Sequence, residues 1–106
     1  MSESQVPQTT TISTLENGVI LRGNLLYSTV APILTIGSEM IQNHKADVIA
    51  IDMSEVVKID SAGIALLLAW KRLCDKNNKK YQLEGASQQA VSLISTNKLE
   101  KLLNLD

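Results

Sequence analysis

The stretch VIAIDMSEVVKIDSAGIALLLAWKRL, residues 48–73, combines a β-branched run, an Asp-Ser-Ala-Gly sequence and a long apolar segment. Residues 48–51 are all apolar, which predicts a central strand of a sheet. The apolar segment that follows Asp60 and Ser61 predicts a helix over about residues 62–76. A strand followed by a helix in this way indicates an α/β fold.

The remaining chain extends this unit on both sides. An Asn-Gly pair at positions 17 and 18 separates two strand-like segments and predicts a tight hairpin. Leucines at positions 99, 102, 103 and 105 predict a terminal turn or short helix that closes the core. We therefore expect a mixed β-sheet flanked by α-helices, with right-handed crossovers. The predicted order is ββαβαβα, with strands at 11–15, 19–25, 48–51 and 81–84 and helices that begin near Ser28 or Thr29, near Ala62 and near Ser87.

The composition indicates one ordinary globular domain. The chain has 106 residues, of which 44% are hydrophobic and 20% charged. We expect residues 1–10 to form a flexible N-terminal tail and residues 11–106 to form a single domain. A net charge of -1 provides no field that would favour nucleic acid. The longest uncharged apolar run, residues 62–70, is about half a membrane span, so we expect no direct membrane insertion.

The sequence offers little for catalysis or metal binding. Cys74 is the only cysteine, which suits a reducing cytoplasm, and His44 is the only histidine. Neither stands at metal-ligand spacing from a second ligand. Ser61 has no neighbouring base and no G-x-S-x-G sequence, and nucleotide-binding glycine loops are absent. We therefore expect no enzymatic activity, no metal and no cofactor.

Ser61 has three interpretations. Its position alone favours an N-cap, whose hydroxyl would accept a hydrogen bond from a free amide. A nucleophile would need a base that the sequence does not place nearby. A switch or docking point would use the positive end of the helix, which accommodates a phosphoryl group. The carboxylate of Asp60 would repel a phosphoryl group, attract a partner or act as an alternate cap. The small residues Ala62 and Gly63 would let another surface approach the helix.

The helix after Ser61 is apolar all round over residues 64–70. A helix on one face of a sheet needs only an apolar stripe. Either the terminal leucine-rich segment or a partner protein therefore covers its other side. Trp70 is a candidate interface anchor, or alternatively a core residue.

The quoted stretch resembles the signature region of STAS domains, in which a strand ending in Asp is followed by a short loop, Asp-Ser/Thr-x-Gly and a helix. The order of elements and the length agree from about Thr11 to Leu105. The resemblance implies a non-enzymatic module with a mixed sheet flanked by helices.

Two branches of this family are relevant. Anti-sigma factor antagonists are phosphorylated, by a kinase that is also the anti-sigma factor, on the serine that matches Ser61. The small STAS subunit of the Mla phospholipid ABC transporter binds the cytoplasmic ATPase and supports outer-membrane lipid asymmetry in Gram-negative bacteria. The sequences GIALLL and YQLEGAS, at 63–68 and 81–87, are more similar to the transporter subunit. Ser61 and Ala62 depart from the Thr and Gly often found there, which keeps the antagonist as an alternative.

The resemblance thus implies a cytoplasmic accessory subunit, peripheral to the inner membrane through an ABC-transporter ATPase and its permease. The alternative is an anti-sigma factor antagonist that is controlled by phosphorylation of Ser61 and binds an anti-sigma kinase. The expected partner surface comprises Asp60, Ser61, Ala62 and Gly63 and, on the exposed side of the helix, Ile64, Leu67 and Trp70.

Overall fold

The computed structural model describes residues 10–104, and these form an α/β fold in the predicted order. The strands are β1 (Thr11–Leu15), β2 (Gly18–Leu25), β3 (Val48–Ile59) and β4 (Lys80–Glu84), and the helices are α1 (Val30–Asn43), α2 (Ser61–Lys76) and α3 (Gln88–Thr96). None of these described helices is both long and apolar enough to cross a membrane. The expected tail, apart from residue 10, and Leu105 lie outside the described residues, so the domain limits of 11–106 stay a prediction.

The strands form one mixed sheet in the order β1-β2-β3-β4. β1 and β2 are antiparallel, whereas β2 and β3, and β3 and β4, are parallel. The two helical crossovers advance in the same direction across the sheet, so right-handed connections place α1 and α2 on one face. There α1 packs against α2, and α3 packs against α2 and β3. The core lies between this helical layer and the sheet.

β3 is longer than the sequence predicts, and its length positions the end of the sheet. It continues to Ile59, although residues 54–58 include a serine and two charged residues. Its pairing with β2 contains register shifts, and Met53, Val56 and Ile59 are the buried positions in this half. Such irregularities interrupt the strict alternation that marks a strand in a sequence. The strand therefore ends at Ile59, directly before Asp60, without the short loop that the resemblance to STAS domains implied.

Gly18 is needed for contact with β3 rather than for the hairpin turn. The turn consists of Glu16 and Asn17, and Gly18 is the first residue of β2. A Cβ atom at Gly18 would lie 1.9 Å from the carbonyl oxygen of Ala50. The missing side chain therefore allows the two strands to approach.

Trp70 of α2 packs directly against α1. Its side chain is fully buried, and its Nε1 donates a hydrogen bond to Ser38 Oγ at 3.3 Å. Gly37 lies against the ring, because a Cβ atom there would be 2.2 Å from ring atom Cζ2. The backbone of α1 reaches the indole only because this position has no side chain.

The C-terminal residues close the core, as predicted from the leucines. Residues 100–104 form turns, and Leu103 is fully buried whereas Leu102 is exposed. The side-chain amide of Asn104 donates to the carbonyl oxygen of Tyr81 at 2.6 Å. The segment is thus attached to the outer edge of β4.

Cys74 is a core residue of α2. Burial, reinforced by the negative charge of Asp75, raises the pKa of its thiol to about 11. Reactive cysteines have lowered pKa values, because the thiolate is the nucleophile. The thiol of Cys74 therefore stays protonated at neutral pH and packs as a small apolar group.

Replacing Gly37 with alanine is expected to destabilise the protein, although alanine is favoured over glycine in helices by about 1 kcal/mol. The new methyl group would overlap the indole of Trp70, and displacing the ring or α1 costs about 1–3 kcal/mol. Trp70 is the only tryptophan, so its fluorescence during urea unfolding reports the change. Thr35→Ala, at an exposed position of α1, is the control and should leave the midpoint nearly unchanged. A Gly37→Ala protein more stable than the parent would contradict the described packing.

Candidate functional site

Asp60, directly after β3, holds the start of α2. Its Oδ1 accepts hydrogen bonds from the backbone N–H groups of Ala62 at 2.9 Å and Gly63 at 3.2 Å. Its Oδ2 accepts a hydrogen bond from the N–H of Tyr27 at 3.0 Å. One carboxylate therefore caps α2 and joins it to the segment between β2 and α1.

The N-cap is Asp60 rather than Ser61, so the interpretation favoured by position was wrong. Asp60 has extended backbone dihedral angles, φ -125° and ψ -169°, whereas Ser61 is already helical. Because β3 runs to Ile59, the only residue between strand and helix is the aspartate. A carboxylate also has a second oxygen with which to bind the Tyr27 amide, and a serine hydroxyl does not.

Ser61 is the first residue of α2, and its side chain is exposed. Its hydroxyl forms no hydrogen bond within residues 10–104, because the amides that it was expected to cap are bound to Asp60. The hydroxyl is therefore on the surface at the positive end of the helix dipole.

Ala62 and Gly63 differ in accessibility. Gly63 is buried, and a Cβ atom there would lie 2.6 Å from both the Leu25 carbonyl oxygen and a side-chain carbon of Ile59. Its missing side chain lets α2 pack on the ends of β2 and β3, which is a structural role. Ala62 is partly exposed and faces α1.

An apolar groove of about 280 Å³ lies between the first turns of α1 and α2. Tyr27 stands at its rim with 85% of its surface exposed, and Leu34 and Ala65 are also exposed. Large apolar side chains in a concave exposed surface are typical of sites that bind another molecule. The groove is lined by Tyr27, Val30, Leu34, Ala62, Ala65 and Leu66.

Sequence reasoning found only Ala62 among the residues of this groove. Tyr27 is a lone aromatic in a connecting segment, and Leu34 fits the apolar pattern of a core-facing helix. One signal was available: Ala62 and Ala65 are three residues apart, which places two methyl groups side by side on one helix surface. Their small size leaves the space that forms the groove.

Ile64, Leu67 and Trp70 do not lie on the exposed side of α2, so their predicted placement was wrong. Their side chains are 4%, 0% and 0% exposed, respectively. Their spacing of three forms the inward stripe of the helix, which packs on the sheet and on α1. The exposed surface of the first turns instead carries Ser61 and Ala65.

The histidine is held away from Ser61. His44 Nε2 lies 2.8 Å from the Leu15 carbonyl oxygen, and its Nδ1 accepts a hydrogen bond from the Ala46 N–H at 3.1 Å. Nε2 thus connects the end of α1 to the hairpin, whereas Nδ1 holds the segment directly after α1. The cavity lined by His44 does not include Ser61. Over residues 10–104, His, Cys, Asp and Glu side chains form no group of three or more suited to a metal ion.

Asp60→Ala is expected to lower the free energy of unfolding by about 2 kcal/mol, because it removes the cap of α2 and the contact with Tyr27. Asp60→Asn is the matched control and should retain most of the stability, since an amide oxygen still accepts hydrogen bonds at an N-cap. Urea unfolding followed by Trp70 fluorescence measures both variants. Equal losses would indicate that the negative charge, and not the hydrogen bonds, holds the helix start.

The solved structures that are similar to this chain include an anti-sigma factor antagonist and Mglu. The anti-sigma factor antagonist SpoIIAA in its unphosphorylated form aligns with a TM-score of 0.63 and 19% identity over 81% of this chain and 81% of that chain. A crystal structure of Mglu aligns with a TM-score of 0.56 and 14% identity over 74% of this chain, which corresponds to 20% of that chain. At these identities the similarity concerns the fold alone. No curated protein sequence matches this chain.

The family comparison covers the whole described structure. Residues 10–104 match the family described as "Mlab, STAS domain". The matched region includes the complete sheet, the three helices, the Asp60 cap and the groove. This chain belongs to the STAS-domain family.

Proposed function

We propose that this chain is a non-catalytic STAS subunit that binds the ATPase of a phospholipid ABC transporter and stabilises or regulates it. The transporter would maintain outer-membrane lipid asymmetry, and the subunit would be cytoplasmic and peripheral to the inner membrane through the ATPase and permease. The MlaB-type family description supports this choice of partner. The observation that carries the binding role is the apolar groove beside the exposed Ser61.

The size of the groove favours a protein partner over a lipid. Its volume of about 280 Å³ lies below the range of roughly 300–1,000 Å³ that is usual for small-molecule pockets. It accommodates one or two apolar side chains from another protein, whereas a phospholipid with two acyl chains needs far more enclosed space. We therefore place lipid handling in other subunits of the transporter.

The walls of the groove are preorganised, which lowers the entropic cost of binding. Asp60 fixes the first turn of α2 to the backbone of Tyr27. Thr29 supports the same segment, because its Oγ1 accepts from the Leu26 N–H at 2.9 Å and donates to the Asn24 carbonyl at 2.7 Å. Tyr27 is therefore a large aromatic anchor on a fixed backbone, as is common at the centre of interfaces.

Ala65→Arg is expected to weaken ATPase binding at least about tenfold, because a long charged side chain would fill the groove and leave a charge buried at the interface. Ala65 is exposed and arginine favours helices, so the fold should be retained. Binding is measured by affinity purification of the tagged protein from detergent-solubilised host cells, with quantitative mass spectrometry of the recovered ABC ATPase and permease.

Leu102→Arg is the matched control, since Leu102 is an exposed apolar residue outside the groove. It should recover as much ATPase as the parent. Recovery of a soluble kinase with a sigma factor, in place of an ABC ATPase, would contradict the transporter proposal. Unchanged recovery by Ala65→Arg would contradict the groove as the interface.

The second candidate function is that of an anti-sigma factor antagonist controlled by phosphorylation. The specific observation in its favour is the exposed Ser61 hydroxyl, which is free of the capping role. A phosphoryl group there would lie at a helix N-terminus, which favours anions, although Asp60 places a carboxylate nearby. The balance of these two effects depends on the kinase and the partner.

Ser61→Ala distinguishes the two candidates. For a transporter subunit, the variant should bind the ATPase as tightly as the parent, because alanine adds no bulk beside the groove. For an antagonist, incubation with the host anti-sigma kinase and ATP should phosphorylate the parent stoichiometrically and leave Ser61→Ala unmodified. Intact-mass spectrometry measures the modification, and phosphate incorporated at another residue would exclude Ser61 as the switch.

A further inference from the structure

The outer edge of β1 has backbone groups that no residue from 10 to 104 pairs with. The Ala50 N–H donates to the Asn17 carbonyl at 2.8 Å, so odd-numbered residues of β2 direct their backbone groups toward β3. The backbone groups of the even-numbered residues of β2 then point toward β1. Their partners there are the odd-numbered residues of β1, which therefore direct their own backbone groups toward β2. The N–H and C=O groups of Ile12 and Thr14 consequently point away from the sheet.

The other edge of the sheet is protected. Asn104 donates to the outward-facing carbonyl of Tyr81, and Lys80 and Glu84 place charges at the two ends of β4. Covering segments and charged residues are the usual means of preventing contact between sheet edges. β1 has the sequence TISTL, with no charge and no proline, and its pairing with β2 contains no bulge.

A groove runs beside β1 on the side that α1 covers. Its volume is about 410 Å³, and it is lined by Thr14, Ile36, Glu39, Met40, Asn43 and His44. Ile36 is 46% exposed there, and Ile12 packs on the same helix next to Gly37. A strand added to β1 would direct alternate side chains into this groove.

We propose that β1 pairs in antiparallel orientation with β1 of a second copy of this chain, centred on Ser13. This register places Ile12 of each copy opposite Thr14 of the other. The N–H and C=O groups of both residues, which are unpaired within residues 10–104, then bond across the interface, and the two four-stranded sheets become one. Exposed apolar surface of Ile36 lies next to the added strand.

A second copy fits this edge better than a charged peptide. An extended strand rich in β-branched residues is well suited to pair here, and β1 has this character without any charge. The outward-facing N–H and C=O groups belong to even-numbered residues, so a useful register must pair even-numbered residues with each other. The register centred on Ser13 uses the groups of both Ile12 and Thr14. It opposes Ser with Ser and Ile with Thr, so no like charges meet.

The pairing shares no residue with the groove that we propose for the ATPase. Ser61 also lies outside β1, at the start of α2. The inference is therefore independent of the proposed function, and the purified chain alone is sufficient to test it.

Thr14→Pro is the test, because it removes the outward N–H while the bonds between β1 and β2 remain. Thr14→Val is the matched control, since it keeps the N–H and a β-branched side chain. Sedimentation equilibrium over a range of concentrations measures the dissociation constant of the purified parent and both variants. The parent and Thr14→Val should dimerise, and Thr14→Pro should raise the dissociation constant at least about 30-fold, because each dimer loses two backbone hydrogen bonds.

Far-UV circular dichroism and Trp70 fluorescence should be the same for all three proteins, which separates loss of the dimer from loss of the fold. A parent protein that stays monomeric at hundreds of micromolar would overturn the proposal. This would hold even if the β1 edge bound a strand of another protein instead. A Thr14→Pro protein that is folded and dimerises as tightly as the parent would also overturn it, because the dimer would then use another surface.

Discussion

The carboxylate of Asp60 is the contact on which the geometry of the site depends. It directly follows β3, caps α2 and binds the backbone of the segment between β2 and α1. One side chain thereby joins two consecutive elements, β3 and α2, to a segment that is distant in sequence. Without this contact, the first turn of α2 would have uncapped amides and no link to the backbone of Tyr27. The position of the groove follows from this arrangement.

The groove exists because α1 and α2 pack closely at one level and have small side chains at another. Gly37 allows the backbone of α1 to reach the ring of Trp70, which holds the helices together. Toward their N-termini, α2 presents Ala62 and Ala65, which do not fill the space between the helices. Close packing and an open surface therefore alternate along a single helix pair, according to the size of the side chains at each level.

The apolar character of α2 has two structural explanations rather than one. Its inward stripe is covered by the sheet and by α1, while Leu103 of the C-terminal turns enters the same core. Its remaining apolar surface, near Ser61, stays accessible as part of the groove. Of the two alternatives raised by the sequence, coverage from within the chain applies to the inward stripe, and coverage by a partner is what we propose for the groove. The groove and the β1 edge are thus two separate surfaces that we propose for association.

The sequence by itself determined the fold class and the order of the elements, and it predicted a site at the start of α2. These follow from local signals: the Asn-Gly pair at the hairpin, the apolar run of β3, and the Asp-Ser-Ala-Gly sequence before a helix. Only the tertiary structure decided that β3 reaches Ile59 and that Asp60, not Ser61, is the cap. It also decided that Ile64, Leu67 and Trp70 face inward, and that Tyr27, Leu34 and Ala65 form the surface. The physical reason is that helical periodicity identifies which residues share a side, whereas the direction of that side depends on the elements that pack against it.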